Sequence, residues 1–534
     1  MRILIYIEPH PIRDSMVAQL HVANYFARMF MAAGQMPPDY DYRLYSNANI
    51  LTTILSEFPS VKDLCLMPTV AEQALFQRNL VPWLERGMHE WIALAHGEGL
   101  AYQYHKVLAD IHARFPFDLL VHWGANGAVD RFCNDNGLGR VTMELGCTRS
   151  PYNSTIVFDP NGVSGSASPS LVDIADLRTV VGSKGSSAEL DLMTYSGSAG
   201  RNLYEARFDY NAALDEQIMG MAAGRRIAFL PLPAHDDPNL QLYSRFSTPT
   251  EVVDQLLPQL TEAGFFCLVK PHPAMRTRPS GGAEHFRVRE VIFRSPSAFC
   301  IDSQMGASAN IRLIELSDVL VTVASSVGFE ATLHNKPVCV LGKAIYKPSN
   351  VFPSLDDVKS QRIFEQDFDN RYKHETGVLR SFFLDAYLVP EKSAFDLTVF
   401  TDRVRQLSGL RGPAAEIVQS IYRQFGSAGR QQRLVQFDRQ PPSSASTPTK
   451  QEQDELLANV QARVSALLNS TSWRVTRPLR LTSAKLRGVD YIDPREPRSV
   501  QEGIRTIERI MSSGSWAISW PMRLVEKGWA ALRR

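Results

Sequence analysis

Residues 269–273 read Val-Lys-Pro-His-Pro and close the apolar run FFCLVKPHP. Proline fixes φ and carries no backbone donor, so the two prolines hold His272 in few conformations at the carboxyl end of a strand. An imidazole held that way can donate to a phosphate oxygen and stabilise a departing nucleotide, or it is a structural histidine. Lys270 adds positive charge there or faces solvent. A second stretch, DVLVTVASSVGFEATLHN (318–335), reads as a buried strand running directly into a helix at Ser325–Ser326. The orphan N–H groups and dipole of such a helix start favour an anion, and hydroxyls add hydrogen bonds. Gly328 would let a ligand approach the first turn, and Glu330 would reach a ribose hydroxyl. The plainer alternative makes Ser325 or Ser326 a helix cap and Glu330 a first-turn acid that suits the helix dipole. A third stretch, MELGCTRSPYNSTIVFDPNGV (143–163), places Glu144 at a strand's carboxyl edge, with Gly146 opening space beside it. A carboxylate in that position can deprotonate a hydroxyl or attack an anomeric carbon. Arg149 can hold a carboxylate or phosphate with two parallel hydrogen bonds. Asp159, in FDPNG, reads as a turn residue.

These residues need elements that bring strand ends together. Residues 3–7 read as a first strand and 17–33 as a helix; 70–113 is helical. Strands at 117–123 and 140–146 flank a helix at 127–137, a βαβ unit that implies a parallel sheet. The alternation restarts after a helical connector around 210–222, with strands at 226–233, 265–273, 299–302, 318–326 and 336–342. In STPTEVVDQLL (247–257), Thr248 is placed to cap a helix with Pro249 at its first position and Glu251 completing a capping box. The predicted fold is α/β, with two doubly wound Rossmann-type domains at 1–215 and 225–350. A helical return segment (351–435), a Pro/Ser/Thr-rich linker (436–453) and a helical tail (454–534) follow.

Composition narrows the function classes. The chain has 534 residues, 44% of them hydrophobic and 21% charged, with a net charge of +1. Its length points to more than one domain, and its charge balance does not suggest a nucleic-acid binder. The six cysteines show no CxxC pair, which argues against a zinc site or a disulfide framework and fits a reducing compartment. The N-terminal apolar stretch is too short for a signal sequence. No apolar run reaches the roughly 18 residues of a membrane span. There is no GxxxxGK[ST] or HExxH motif. Asp-Tyr-Asp at 39–41 resembles a metal-binding Asp-x-Asp, but it falls in a Pro/Tyr-rich loop.

Four blocks in order resemble the capsule polysaccharide biosynthesis family, whose characterised members transfer Kdo, a 2-keto-3-deoxy sugar acid, from CMP-Kdo. ELGCTRSPYNSTIVFDPNGV is similar to the family's E-x-G-x-x-R block and the turn after it. FLPLPAHDDPNLQLYSRFST is similar to its L-P-L-Q strand and Asp-containing loop, with Pro233 where glutamine is usual. VKPHP is similar to its K-x-H-P. ASSVGFEATLHNKPVCVLGKAIY is similar to its S-[ST]-V-G-x-E block, with LHNKP in place of L-x-G-K-P. The resemblance implies a GT-B fold, a nucleotide held mainly by the second half, and no required metal or cofactor. It implies His272, Ser325 and Ser326 on the nucleotide phosphate, Glu144 as the catalytic carboxylate, and Asp237 or Asn239 lining the nucleotide pocket.

The tail repeats one motif, STSWRVTRPLR (470–480) and SGSWAISWPMR (513–523), which resembles one near the ends of bacterial cell-surface glycosyltransferases. Trp473, Arg480, Trp516 and Arg523 suit either an anionic membrane surface or a helical hairpin packed on protein. The expected function is therefore a cytoplasmic glycosyltransferase, peripheral at the inner membrane, moving a sugar from a nucleotide-sugar donor to a polysaccharide or glycolipid acceptor. Two alternatives are a nucleotide-sugar 2-epimerase of the same fold, which needs no acceptor, and a non-catalytic scaffold of a polysaccharide assembly complex.

Overall fold

Among the described residues, twelve strands form two sheets. The computed structural model describes residues 1–426 except 34–35, 150–151, 183–211, 279–280, 304 and 306. The linker and the tail with Trp473, Arg480, Trp516 and Arg523 lie outside the described residues. Contacts divide the chain into Met1–Arg433 and Leu434–Arg534, and everything described belongs to the first unit.

The front sheet holds β1 (Arg2–Tyr6), β2 (Asp41–Tyr45), β3 (Cys65–Leu66), β4 (Leu119–Trp123), β5 (Gly139–Leu145), β6 (Thr155–Asp159) and β12 (Val389–Pro390). Its order is β12-β6-β5-β4-β1-β2-β3. β1 to β5 run parallel, while β6 is antiparallel to β5 and β12 to β6. The rear sheet holds β7 (Ile227–Pro231), β8 (Phe266–Lys270), β9 (Ala298–Cys300), β10 (Val319–Thr322) and β11 (Val338–Val340). Its order is β11-β10-β7-β8-β9, all parallel. Strands β4, β7, β8 and β10 are buried along their whole length. This is why they read as unbroken apolar runs.

Both sheets start in the middle and wind outward in two directions. Chain order reverses between β1 and β4 in front and between β7 and β10 behind. The carboxyl ends at such a reversal leave a crevice, the usual ligand position in a doubly wound fold.

Four strands depart from the expectation, β2, β3, β6 and β12. DYRLY forms β2, with Tyr42 and Leu44 buried, so Asp41 opens a strand and pairs with Arg43. TIVFD forms β6, the return of a hairpin from β5. Asp159 ends that strand as a buried turn anchor, accepting from the backbone N–H of Asn161 and Ser168 and from the Tyr387 hydroxyl. β12 comes from the return segment.

The helix Pro249–Glu262 starts where expected, with the Thr248 hydroxyl accepting from Glu251 N at 3.1 Å. The Glu251 carboxylate instead takes the N–H of Ser247, so the box is displaced by one residue. The helix Gln366–Phe382 touches both halves. Glu375 pairs with Arg178 in front. Tyr372 donates to Lys336 O at 2.9 Å and Arg380 to Thr332 O at 2.7 Å behind. Among the described residues no helix is long and apolar enough to cross a membrane.

Candidate active site

His272 follows the end of β8 by two residues. Its Nδ1 accepts the backbone N–H of Ala274 at 3.1 Å, at the start of the short helix Ala274–Thr277. Burial pushes the imidazole down to about 4, helped by Arg278 and Lys270 and opposed by Asp236. The ring is therefore neutral near pH 7, and with Nδ1 accepting, its hydrogen sits on Nε2.

Lys270 does not face solvent. It is buried and donates to Asn310 Oδ1 at 2.6 Å. Burial brings its ammonium down to about 8, against the pull of Glu330 and Asp302.

Ser325 caps the helix Ser326–Leu333, its hydroxyl accepting from Val327 N at 3.3 Å. Tyr346 donates to the Ser325 carbonyl at 2.5 Å, and Ser325 and Ser326 both stay partly exposed. Gly328 does not open the first turn to a ligand. A Cβ there would stand 2.2 Å from the Tyr346 hydroxyl. The missing side chain makes room for that phenol, not for a ligand.

Glu330 is buried, and its Oε1 accepts the backbone N–H of Arg149, across the cleft, at 3.1 Å. Burial raises its carboxyl to about 7, although Arg149 and Lys270 both pull it down. Its visible partner is thus the front half of the protein.

Glu144 sits next to the end of β5 and is partly exposed. Its Oε1 accepts from Leu145 N at 2.9 Å. Burial raises this carboxyl to about 7 as well; Leu145 and Arg149 lower it and Asp237, from the rear half, raises it. Gly146 does not open space for a ligand, because a Cβ there would lie 2.3 Å from Thr155 Oγ1. It lets the two hairpin arms close. Arg149 spends Nη1 on its own loop, on the carbonyls of Gly146 at 2.5 Å and Thr148 at 2.9 Å.

Asp237 caps the helix Pro238–Tyr243, accepting from Asn239 N at 2.9 Å, and burial raises its carboxyl. Asn239 Oδ1 accepts from Ser164 of the front half at 3.2 Å. Two hydrogen bonds at these residues cross between the halves, Arg149 N–H to Glu330 and Ser164 to Asn239, and Glu144, Asp237, Arg149, Glu330, Lys270 and His272 lie near enough for neighbouring charges to shift their titration. Two shallow grooves around Tyr243 and Lys343 contain none of them.

The sequence reading missed a second crossing. Asp236, 2% exposed, accepts from Arg13 Nε at 2.5 Å and from Arg278 Nη1 at 2.6 Å. Burial would raise its carboxyl, but the two guanidiniums outweigh it and hold it low. A signal was available. IEPHP (7–11) repeats the Pro-His-Pro of VKPHP, again just past a strand end, with Arg13 close behind. Glu8 of that segment is also buried, accepting from His10 N at 3.1 Å and Asn126 Nδ2 at 2.6 Å.

Residues 189–357 match the family model described as capsule polysaccharide biosynthesis protein. This bears out the resemblance for three of the four blocks; the Glu144 block lies before the match. No curated protein matches the chain. Among solved structures, the chain is similar to the beta Kdo 2,7 transferase of Thermosulfurimonas dismutans KpsC, at 12% identity and a TM-score of 0.34, covering 74% of this chain and 99% of that one. It is similar to the beta Kdo 2,4 transferase of the same KpsC at 15% identity and 0.27, covering 49% and 79%. It is also similar to the UDP-GlcNAc 2-epimerase of Neisseria meningitidis at 10% and 0.27, covering 76% and 99%.

Proposed function

We propose that the chain is a glycosyltransferase of capsule or other surface-polysaccharide assembly, taking its sugar from a nucleotide-sugar donor. The observation that carries this reading is the hydrogen bond from the Arg149 N–H, in the loop after Glu144 on the front sheet, to Glu330 at the rear helix start beside Ser325 and Ser326. The donor's phosphate lies against the Nε2–H of His272 and the hydroxyls of Ser325 and Ser326, with Lys270 and Glu330 behind them. Asp237 and Asn239 line the nucleotide side. Arg149 keeps the Glu144 loop closed and in reach of the transferred sugar.

Glu144 acts as the base. A carboxyl titrating near 7 is matched to accepting a proton at neutral pH. The acceptor hydroxyl gives its proton to Glu144 and its oxygen bonds to the anomeric carbon. The bond from that carbon to the phosphate oxygen breaks, and its electron pair leaves with the nucleotide. CMP-Kdo is the donor we favour, on the motif resemblance. The basic, tryptophan-rich tail supports docking at an anionic membrane surface, where the acceptor would grow.

The test is transfer from CMP-Kdo to a polysaccharide or glycolipid acceptor, with free CMP as the readout. Release of CMP that depends on acceptor and is lost in Glu144→Gln supports the reading. Donor turnover without acceptor, giving an isomerised sugar, would replace it with epimerisation.

A further inference from the structure

The residues at the two chain reversals meet through one ion pair. Arg13 lies in the loop after β1, at the front reversal, and Asp236 in the loop after β7, at the rear one. These are the crevice positions of both sheets, so the bond joins the two halves where a ligand would enter.

The Arg13 loop is held in an uncommon shape. Arg13 and Asp14 are consecutive non-glycine residues in the left-handed region, at φ 53° and 58°. Two such residues in a row persist only where their surroundings enforce them, and they concentrate at ligand clamps and switch points. Here the enforcement comes from both neighbours. Asp14 Oδ1 takes the N–H of Trp83 at 2.5 Å, and Arg13 reaches Asp236.

Asp236 accepts from both guanidiniums, Asp237 beside it also feels both, and the His272 ring is close enough to feel Arg278 and Asp236. The carboxylate is covered, its side chain 3% exposed, while Arg13 and Arg278 remain 32% and 26% exposed. Both guanidiniums are therefore accessible from outside, while the Asp236 carboxylate that anchors them is not. A planar guanidinium anchored from behind by a carboxylate is preorganised for a phosphate in front.

We propose that Arg13 is a donor-phosphate residue supplied by the front half, completing with Arg278 the anion site that His272 begins, and that the phosphate bridges the two halves through it. This rests on the nucleotide-sugar reading and adds to it a residue outside the family-matched segment.

Arg13→Gly is the clean variant, because glycine adopts the positive φ without strain and removes only the side chain. Calorimetric titration of full-length wild type with CMP, UDP, GDP and dTDP identifies the nucleotide. That nucleotide and its own nucleoside are then titrated into Arg13→Gly and Arg13→Lys. Losing a charge-assisted phosphate contact weakens nucleotide binding by at least about tenfold. Nucleoside binding stays within about twofold of wild type, and Arg13→Lys recovers part of the loss. Equal nucleotide affinity in wild type and Arg13→Gly overturns the proposal and leaves the glycosyltransferase reading intact. An equal loss for nucleotide and nucleoside also overturns it, since Arg13 would then shape the cleft without touching phosphate. Wild type binding none of the four nucleotides removes both readings together.

Discussion

The backbone N–H of Ala274 reaches Nδ1 of His272 at 3.1 Å, which fixes the imidazole as a donor through Nε2. The stiff Pro-His-Pro segment thereby sets a tautomer as well as a position. The ring's low affinity for protons, near 4, keeps it a neutral donor throughout the physiological range.

Replacing His272 with alanine should weaken nucleotide binding about tenfold, the worth of one hydrogen bond to a charged group. His272→Gln should retain part of the affinity, since its amide N–H can sit near the position of Nε2. Because the wild-type ring is already neutral, the ratio of wild-type to His272→Gln nucleotide affinity should be flat between about pH 5.5 and 8, whatever the other groups do. A ratio that changes with a midpoint near 6.5 would show that the ring charges on binding.

Glu144 should impose a base-type pH profile. Its carboxyl is raised to about 7, so kcat should climb through neutrality as the group ionises and level off above about pH 8. Glu144→Gln should cut kcat at least a hundredfold and leave nucleotide affinity unchanged. Stopped turnover assays across pH 5.5–9 read both effects; a profile that falls as pH rises through 7 contradicts the assignment.

Glu8 should couple stability to pH. Burial raises its folded-state value to about 7, from an ordinary 4.5. Between those values the folded chain holds a proton that the unfolded chain has released, so the contribution of Glu8 to stability falls as pH rises. Buried histidines with lowered values, His10, His122 and His272, act in the opposite sense below about 6.5. The clean observable is therefore a difference. The Tm of Glu8→Gln minus that of wild type should increase from pH 5 to pH 8, by a few degrees at most for a chain this size. A difference that stays constant or decreases would mean that Glu8 is already ionised in the fold.

Gly328→Ala should destabilise, against the usual gain of about 0.5–1 kcal/mol for that change within a helix. The new methyl would overlap the Tyr346 hydroxyl, and overpacking of this kind costs about 1–3 kcal/mol. Adding Tyr346→Phe should restore part of the loss. Denaturant melts of the two variants read this directly, and a neutral Gly328→Ala would show that Tyr346 moves aside freely.

The legible parts of this chain were those whose physics is local. Runs such as RIAFLP, FFCLV and DVLVT are apolar because their strands are buried on both faces, and they announced the parallel rear sheet. The cap at Ser325 was legible for the same reason. DYRLY escaped because its burial alternates and its polar residues look like loop. TIVFD escaped because the hairpin lies inside a block whose Pro, Asn and Asp residues suggested turns and chemistry. Gly146 and Gly328 were misread because a glycine's neighbour across space, Thr155 or Tyr346, has no signature in sequence. Arg13 and Asp236 lie more than two hundred residues apart, and only the meeting of two strand-end loops makes them partners.

The central claim is tested most directly by thermal shift of the full-length wild type with CMP, UDP, GDP and dTDP, repeated on His272→Ala. At about 100 times its dissociation constant a nucleotide stabilises by about 2.7 kcal/mol. The account predicts that one nucleotide, CMP if the donor is CMP-Kdo, raises the wild-type Tm by several degrees and that the shift shrinks in His272→Ala. No shift with any of the four, or an undiminished shift in the variant, would contradict it.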